Sequence, residues 1–281
     1  MDDPKKMEER KAQEQRITET LSKIKHIIMI LSGKGGVGKS SIAANIAVGL
    51  SERGKRVGLM DVDLHGPSIP RTLGLIGKRM DVQNNRLLPL TYAPNLKVLS
   101  IENLLDKTDR AVIWRGPLKI GAIRQFLADV DWGELDYLIV DSPPGTGDEP
   151  LTIAQTMWGA KAIVVTTPQD ISISDVRKSI TFCRAVGMEM LGLIENMSGY
   201  VCPHCGAESE LFGTGGGERL AKEVGVRFLG RIPFDPELVR STDAGEPFIV
   251  AHPDRAAAKA LWEIVDRIAE LDTGETEGKQ G

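Results

Sequence analysis

The stretch Gly33-Lys34-Gly35-Gly36-Val37-Gly38-Lys39-Ser40 limits what this chain can fold into more than any other. An apolar run with the character of a buried strand, His26-Ile27-Ile28-Met29-Ile30-Leu31, comes before it. A good helix start, Ser41-Ile42-Ala43-Ala44-Asn45-Ile46-Ala47-Val48, follows it. Strand, glycine loop, lysine, hydroxyl and helix in that order make the phosphate cradle called a P-loop. Glycine admits backbone conformations that a Cβ would block, so successive N–H groups can turn toward phosphate oxygens. Gly33, Gly35, Gly36, Val37 and Gly38 are therefore expected to wrap the phosphates. Lys39 is expected to reach the outer ones, and the Ser40 hydroxyl to hold Mg²⁺.

Further strands follow at intervals. Lys55 to Asp61 and Tyr137 to Asp141 each end in a carboxylate, and Lys161–Thr166, Glu189–Ile194 and Val226–Ile232 continue the series. Helical stretches are expected at 40–53, 118–129, 171–186 and 218–224, while 62–116 reads as irregular, with turn signals at Gly66-Pro67, Asn84-Asn85 and Gly116-Pro117. Continuous apolar strands alternating with helices predict an α/β fold, a doubly wound and mostly parallel sheet covered on both faces. Ligands bind such sheets beyond the carboxyl ends of the strands. The glycine loop, Asp61 and Asp141 all fall there.

Residues 1–24 are highly charged and read as an arm or frayed helix, 25–272 as the P-loop ATPase domain, and 273–281 as a disordered tail. Near the C-terminus Leu261, Ile264, Val265, Ile268 and Leu271 recur at helical spacing. The surrounding residues Glu263, Asp266, Arg267, Glu270 and Asp272 are mostly acidic, whereas a membrane-surface helix usually has a basic polar face, so docking on the core is expected. A formal net charge of −4 argues against general nucleic-acid binding. No apolar stretch approaches the roughly 20 residues of a membrane span, and no secretory signal is evident. Three cysteines make no disulfide framework, so a reducing cytoplasm is the expected compartment.

The loop carries a second lysine, Lys34, that an ordinary P-loop does not need. In this respect it resembles the deviant Walker A family, KGGVGK[ST], whose members include partitioning, septum-positioning and arsenite-pump ATPases. The resemblance implies that Lys34 reaches across a dimer interface to the partner's nucleotide, as an arginine finger does, an effect worth roughly 10³–10⁵ in rate. Ser41 occupies the family's second hydroxyl position. Asp61-Val62-Asp63 resembles switch I, which gives Asp63 the role of orienting the attacking water, with Asp61 supporting the Mg²⁺ shell. Asp141-Ser142-Pro143-Pro144-Gly145 resembles Walker B running into switch II, so Asp141 accepts from a Mg²⁺-bound water and Gly145 offers an N–H near the γ-phosphate. By the same resemblance Asn196 hydrogen-bonds adenine, and the segment of Pro233 and Asp235 flanks the base on its other side. ATP is thus the expected nucleotide.

Cys202-Pro203-His204-Cys205-Gly206, inside a loop at 197–212, is the second strong feature. Such turns place two thiolates on one ion or cluster. Four ligands would need a second pair, which this chain lacks, and Cys183 lies alone in a predicted helix as a small buried residue. A two-fold axis would complete the set with Cys202 and Cys205 of two subunits. Zinc on the same four thiolates is the competing reading, and a thioredoxin-like redox pair a weaker one. His204 reads as a turn residue, and the glycine run Gly213-Thr214-Gly215-Gly216-Gly217 as a flexible hinge.

A P-loop ATPase with one C-P-x-C pair resembles the Mrp/ApbC group of iron–sulfur cluster carriers from about residue 25 to 250. Asp61-Val62-Asp63-Leu64-His65-Gly66-Pro67-Ser68 also looks like that group's D-x-D-x-x-G-P-S segment. The resemblance implies a homodimer that holds a 4Fe-4S cluster between its subunits, receives it from a donor and passes it to apo-protein clients. Neither nucleic acid nor membrane is an expected partner. A partitioning or positioning ATPase with a structural zinc at the cysteine pair is the alternative.

Overall fold

The computed structural model describes residues 4–63, 66–83, 86–104, 116–202 and 205–273. Helix α1 (Pro4–Leu21) leads into β1 (Ile24–Ser32), the P-loop and α2 (Lys39–Glu52). Then come β2 (Val57–Asp61), the short α3 (Ile69–Thr72), β3 (Asp81–Gln83), β4 (Arg86–Leu88), β5 (Leu90–Ala93) and β6 (Leu96–Ser100). The second half runs α4 (Gly116–Asp129), β7 (Leu135–Asp141), α5 (Asp148–Thr156), β8 (Lys161–Thr166), α6 (Asp170–Ala185) and β9 (Glu189–Val201). It closes with β10 (Glu208–Ser209), α7 (Gly216–Val224), β11 (Phe228–Phe234), α8 (Pro236–Ala244), α9 (Phe248–Ala251) and α10 (Ala256–Ala269). Leu64, His65, Pro203, His204 and the stretch 274–281 expected as a disordered tail lie outside the described residues.

The main sheet has the order β10-β9-β8-β1-β7-β2-β6-β5, with β11 paired to β9. Strands β6, β2, β7, β1, β8, β9 and β11 run parallel, and β5 and β10 are antiparallel additions. This is the doubly wound α/β arrangement expected from the apolar runs. Alternation along β1 explains the two faces, because successive side chains point to opposite sides. Met29 and Leu31 join a cluster with Phe126 and Leu127 of α4 and Val176 and Ile180 of α6. Ile28 and Ile30 join Ile42 and Ile46 of α2 and Leu261, Ile264 and Val265 of α10. Each such side chain contributes about 1.5–3 kcal/mol when fully buried. The C-terminal amphipathic helix thus docks on the core, with Leu261, Ile264, Val265 and Ile268 buried.

The charged N-terminal segment is helical and packed. Ile17 and Leu21 are buried in the α4 side of the core, and Arg124 pairs with Glu14 at 3.1 Å.

The stretch 62–116 departs from the irregular reading. It supplies β6, which pairs parallel to β2 from Val57↔Leu96 to Asp61↔Ser100, and the β3–β4 hairpin. Burial of Leu96, Val98 and Leu99 against the sheet outweighs the weak local signal of a five-residue strand.

Candidate nucleotide and metal site

The P-loop leaves β1 at Ser32 and enters α2 at Lys39. Gly38 has φ 82°, a left-handed conformation that only glycine adopts cheaply. A Cβ there would lie 2.4 Å from Asn196 Nδ2. At Gly33 a Cβ would lie 2.5 Å from the backbone of Asp175 on α6, so the loop is seated between two parts of the fold. The Ser32 hydroxyl donates to the Lys34 carbonyl at 3.0 Å and shapes the loop's first turn.

Lys34, Gly35, Gly36, Gly38, Lys39, Ser40, Ser41 and Asp63 border one cleft of about 310 Å³. Val37 is buried beneath it. Ser32, Gly66, Ser68, Thr72, Pro144 and Thr242 complete the lining; Gly66, Ser68 and Pro144 fall within segments read from the sequence, whereas Thr72 and Thr242 lie outside them. Thr242 lies on α8, far along the chain from the other lining residues, and nothing in its local sequence marks it.

The adjacent strand ends hold the carboxylates. Asp61 and Asp141 are direct neighbours in the β2–β7 register. Lys39 Nζ lies 2.5 Å from Asp141 Oδ1, with both side chains buried, and also donates to Ser40 Oγ at 3.3 Å. Burial pushes the Asp141 carboxyl up, and Lys39 opposes that shift. Its second oxygen, Oδ2, is buried without a hydrogen-bond partner, as is Ser41 Oγ. An orphaned carboxylate oxygen on a residue whose neighbours include the Ser40 hydroxyl is a donor set that suits a hydrated Mg²⁺, which prefers oxygen ligands and keeps several waters.

Asp61 is turned inward. Its carboxylate accepts from Asp63 N at 3.1 Å, Ile69 N at 3.3 Å and Ser100 Oγ at 3.2 Å. Burial, then the charge of Asp141, pushes its pKa well above the ordinary carboxylate range. Asp61 therefore shapes the switch I turn and leaves Asp63 at the cleft. The Gly145 N–H, expected near the γ-phosphate, donates to the Ser32 carbonyl at 2.8 Å, tying switch II to the P-loop strand.

Asn196 and Asp235 have protein partners. Asn196 Nδ2 donates to the Val37 carbonyl at 2.8 Å. Asp235 caps α8 by accepting from Glu237 N at 3.0 Å and forms a bidentate pair with Arg255 at 2.6 and 2.7 Å. Pro233 and Asp235 border a separate cleft of about 160 Å³ with Val201 and Arg255, apart from the P-loop cleft.

Strand β9 continues from Asn196 to Val201 beyond the last residue paired with β8. This extension carries the cysteines at the carboxyl end of the sheet, the end that holds the P-loop. Cys202 N donates to the Ala207 carbonyl at 2.9 Å, and Gly206 N to the Cys202 carbonyl at 2.8 Å, closing a tight turn. Cys202 is half-buried and Cys205 exposed, whereas Cys183 is buried and its thiol is pushed up to about 11 by desolvation. Phe212 and Tyr200 pack on Phe234 with ring centroids 5.5 and 6.2 Å apart, seating the hairpin on β11. Among the described residues no group of three or more His, Cys, Asp or Glu could hold a metal.

The glycine run is pinned, contrary to the flexible hinge read from composition. Gly215 N and Gly217 N both donate to the buried Glu195 carboxylate, at 2.8 and 2.5 Å. A Cβ at Gly216 would lie 2.3 Å from the Pro168 carbonyl oxygen, so close packing accounts for that glycine.

A doubly wound sheet with a two-lysine P-loop and strand-end aspartates defines a P-loop NTPase. A family model described as ParA: NUBPL iron-transfer P-loop NTPase matches residues 23–269, and the chain belongs to that family. The iron-sulfur cluster carrier protein of Methanocaldococcus jannaschii is 48% identical over 266 residues, covering 94% of this chain and 91% of the relative. The cytosolic Fe-S cluster assembly factor NUBP2 of Bos taurus is 48% identical over 253 residues, covering 88% and 93%. Among solved structures, a nucleotide-binding protein in complex with ADP from Archaeoglobus fulgidus superposes with TM-score 0.76 at 40% identity, covering 86% of this chain and 94% of that one. The septum site-determining protein MinD from Pyrococcus horikoshii, at TM-score 0.65 and 24% identity over 90% and 99% of the two chains, shares the fold.

Proposed function

We propose that this chain is an ATP-hydrolysing iron–sulfur cluster carrier that works as a homodimer. One observation carries the reading. A two-cysteine hairpin lies at the same sheet end as a P-loop bearing Lys34. The names of its relatives in an archaeon and in cattle support the cargo. Cys202 and Cys205 from two subunits would hold a 4Fe-4S cluster, the set that such a cluster takes. Transfer is thiolate exchange: client thiolates bond to iron as the carrier's sulfurs leave, with no net change in oxidation state.

In the nucleotide site Lys39 and the P-loop N–H groups bind the ATP phosphates, and Ser40 with a water on Asp141 would hold Mg²⁺, which would supply positive charge to the phosphate oxygens. Asp63 orients the water that attacks the γ-phosphorus while the bond to ADP breaks. Lys34 of the partner subunit neutralises charge developing on the bridging oxygen. Asn196 and the segment of Pro233 and Asp235 border the adenine. The reading places the protein in the cytoplasm with donor and client proteins as partners, without nucleic acid or membrane. No described helix is long and apolar enough to cross a membrane.

The test is cluster transfer under anaerobic conditions. Protein loaded with iron and sulfide is expected to activate an apo-form 4Fe-4S enzyme in the presence of a chelator that blocks free iron. Stoichiometric zinc in a protein that takes up no cluster would instead favour a positioning-type switch with a structural metal.

A further inference from the structure

The end of β9 is gripped from both sides of the sheet. Leu193 belongs to the core on the α7 side and Ile194 to the core on the α2 side. The same alternation sends the side chain of Glu195 toward α7 and that of Asn196 toward the P-loop. On the P-loop side Asn196 Nδ2 holds the Val37 carbonyl at 2.8 Å, and the Gly38 backbone is close enough that a Cβ would collide with that amide. On the other side the buried Glu195 carboxylate accepts from Gly215 N, Gly217 N and Ser198 Oγ. Ser198 Oγ lies 3.0 Å from Thr214 Oγ1, and Gly199 N donates to the Gly213 carbonyl at 3.2 Å.

The residues gripped on the Glu195 side are the two stems of the cysteine hairpin. Residues 195–199 enter it and residues 213–217 leave it, with Cys202 and Cys205 between. Next to Asn196, Met197 has φ 56°, a left-handed conformation that a non-glycine residue adopts only under strain. Such a residue holds its conformation only while its neighbours fix it. Phosphate binding acts on the backbone of the P-loop, and Val37 and Gly38 are the residues that Asn196 touches.

We infer that Glu195 is a positioning residue that couples the nucleotide state of the P-loop to the cysteine hairpin of the same subunit. A shift of Val37 and Gly38 moves Asn196, and the rigid strand end carries it through Glu195 to both hairpin stems. The route runs within one chain and is separate from any change across a dimer interface. It deepens the carrier reading and rests on it. Its test needs no cluster, so it can fail while cluster loading succeeds, and the reverse.

The experiment measures alkylation of Cys202 and Cys205 by iodoacetamide in the reduced full-length protein, resolved by mass spectrometry. Rates are compared without nucleotide and with Mg²⁺ and a non-hydrolysable ATP analogue. Cys183, being buried, reports any unfolding. In the wild-type protein the nucleotide is expected to change at least one hairpin rate by roughly fivefold or more, the lower end of ordinary coupling. In Glu195→Gln the amide offers one oxygen acceptor where the carboxylate offers two, so a stem N–H loses its partner. That variant is expected to bind the analogue with wild-type affinity and to show equal rates with and without it. Ser198→Ala, which removes the hydroxyl's bonds to Glu195 and Thr214 and leaves both glycine N–H bonds in place, should show a reduced nucleotide effect. Equal rates in the wild type, or an undiminished nucleotide effect in both folded variants, would overturn the inference. Persistence in both variants would place the coupling in the dimer interface instead.

Discussion

Lys39 Nζ and Asp141 Oδ1 lie 2.5 Å apart with both side chains buried, so each charge is compensated by the other. Removing one member of such a buried pair typically costs about 3–5 kcal/mol, because the other charge stays buried. Lys39→Met is expected to lower the melting temperature of the nucleotide-free protein and to abolish binding of a fluorescent ATP analogue. An unchanged melting temperature would mean that the pair contributes nothing to the fold.

Lys34 borders the cleft of its own subunit, yet its proposed work is in the partner's site. Lys34→Gln is expected to retain ATP binding and to lose hydrolysis by roughly 10³-fold or more. Mixing that variant with Asp63→Ala should restore measurable hydrolysis, because one site of a mixed dimer then holds an intact Asp63 and a lysine from across the interface. Two inactive variants that stay inactive when mixed would put Lys34 to work within its own chain.

Gly38 couples the cradle to Asn196. Gly38→Ala strains a left-handed backbone by about 1–2 kcal/mol and drives its Cβ into the Asn196 amide. Calorimetric titration is expected to show Mg–ATP affinity weakened by tenfold or more, with the rest of the fold intact by circular dichroism.

At the opposite end of the sheet, Asp136 ties β1 and β7 to the residue entering β2. It accepts from Arg56 N at 2.9 Å and Arg56 Nε at 3.1 Å, and pairs with Lys25 at 2.8 Å. The Arg56 hydrogen bond, aided by Lys25, holds its carboxyl far below the ordinary value of 3.8. A depressed pKa stabilises the fold fully above that ordinary value, and the contribution is lost as pH falls through the folded one. Asp136→Asn is expected to cost roughly 1–3 kcal/mol at pH 7. Below pH 4 the variant and wild-type stabilities should converge, as followed by urea denaturation across pH.

Short motifs in which chemistry dictates residue types were legible in the sequence. Lys34 to Ser41, Asp61, Asp63 and Asp141 gather at the strand ends, as their spacing after apolar strands leads one to expect. Strand β6 was not legible. Its five residues carry a weak signal between turn-rich stretches, and only burial beside β2 makes them a strand. Glu195 was missed for a related reason. A buried carboxylate at a strand end announces nothing until its donors are known, and those donors are backbone N–H groups of glycines twenty residues on. The same glycines looked loose because composition does not report what packs against them. Asp235, read for the base, is engaged by α8 and by Arg255, a partner 20 residues away that no local pattern reveals.

The most direct measurement of the central claim is native mass spectrometry of the protein reconstituted anaerobically with iron and sulfide, together with its Cys202→Ser and Cys205→Ser variants. The account predicts one 4Fe-4S cluster per two chains in the wild type and none in either variant, with the variants still binding Mg–ATP. A cluster carried by a single chain, or retained after loss of either cysteine, would contradict it.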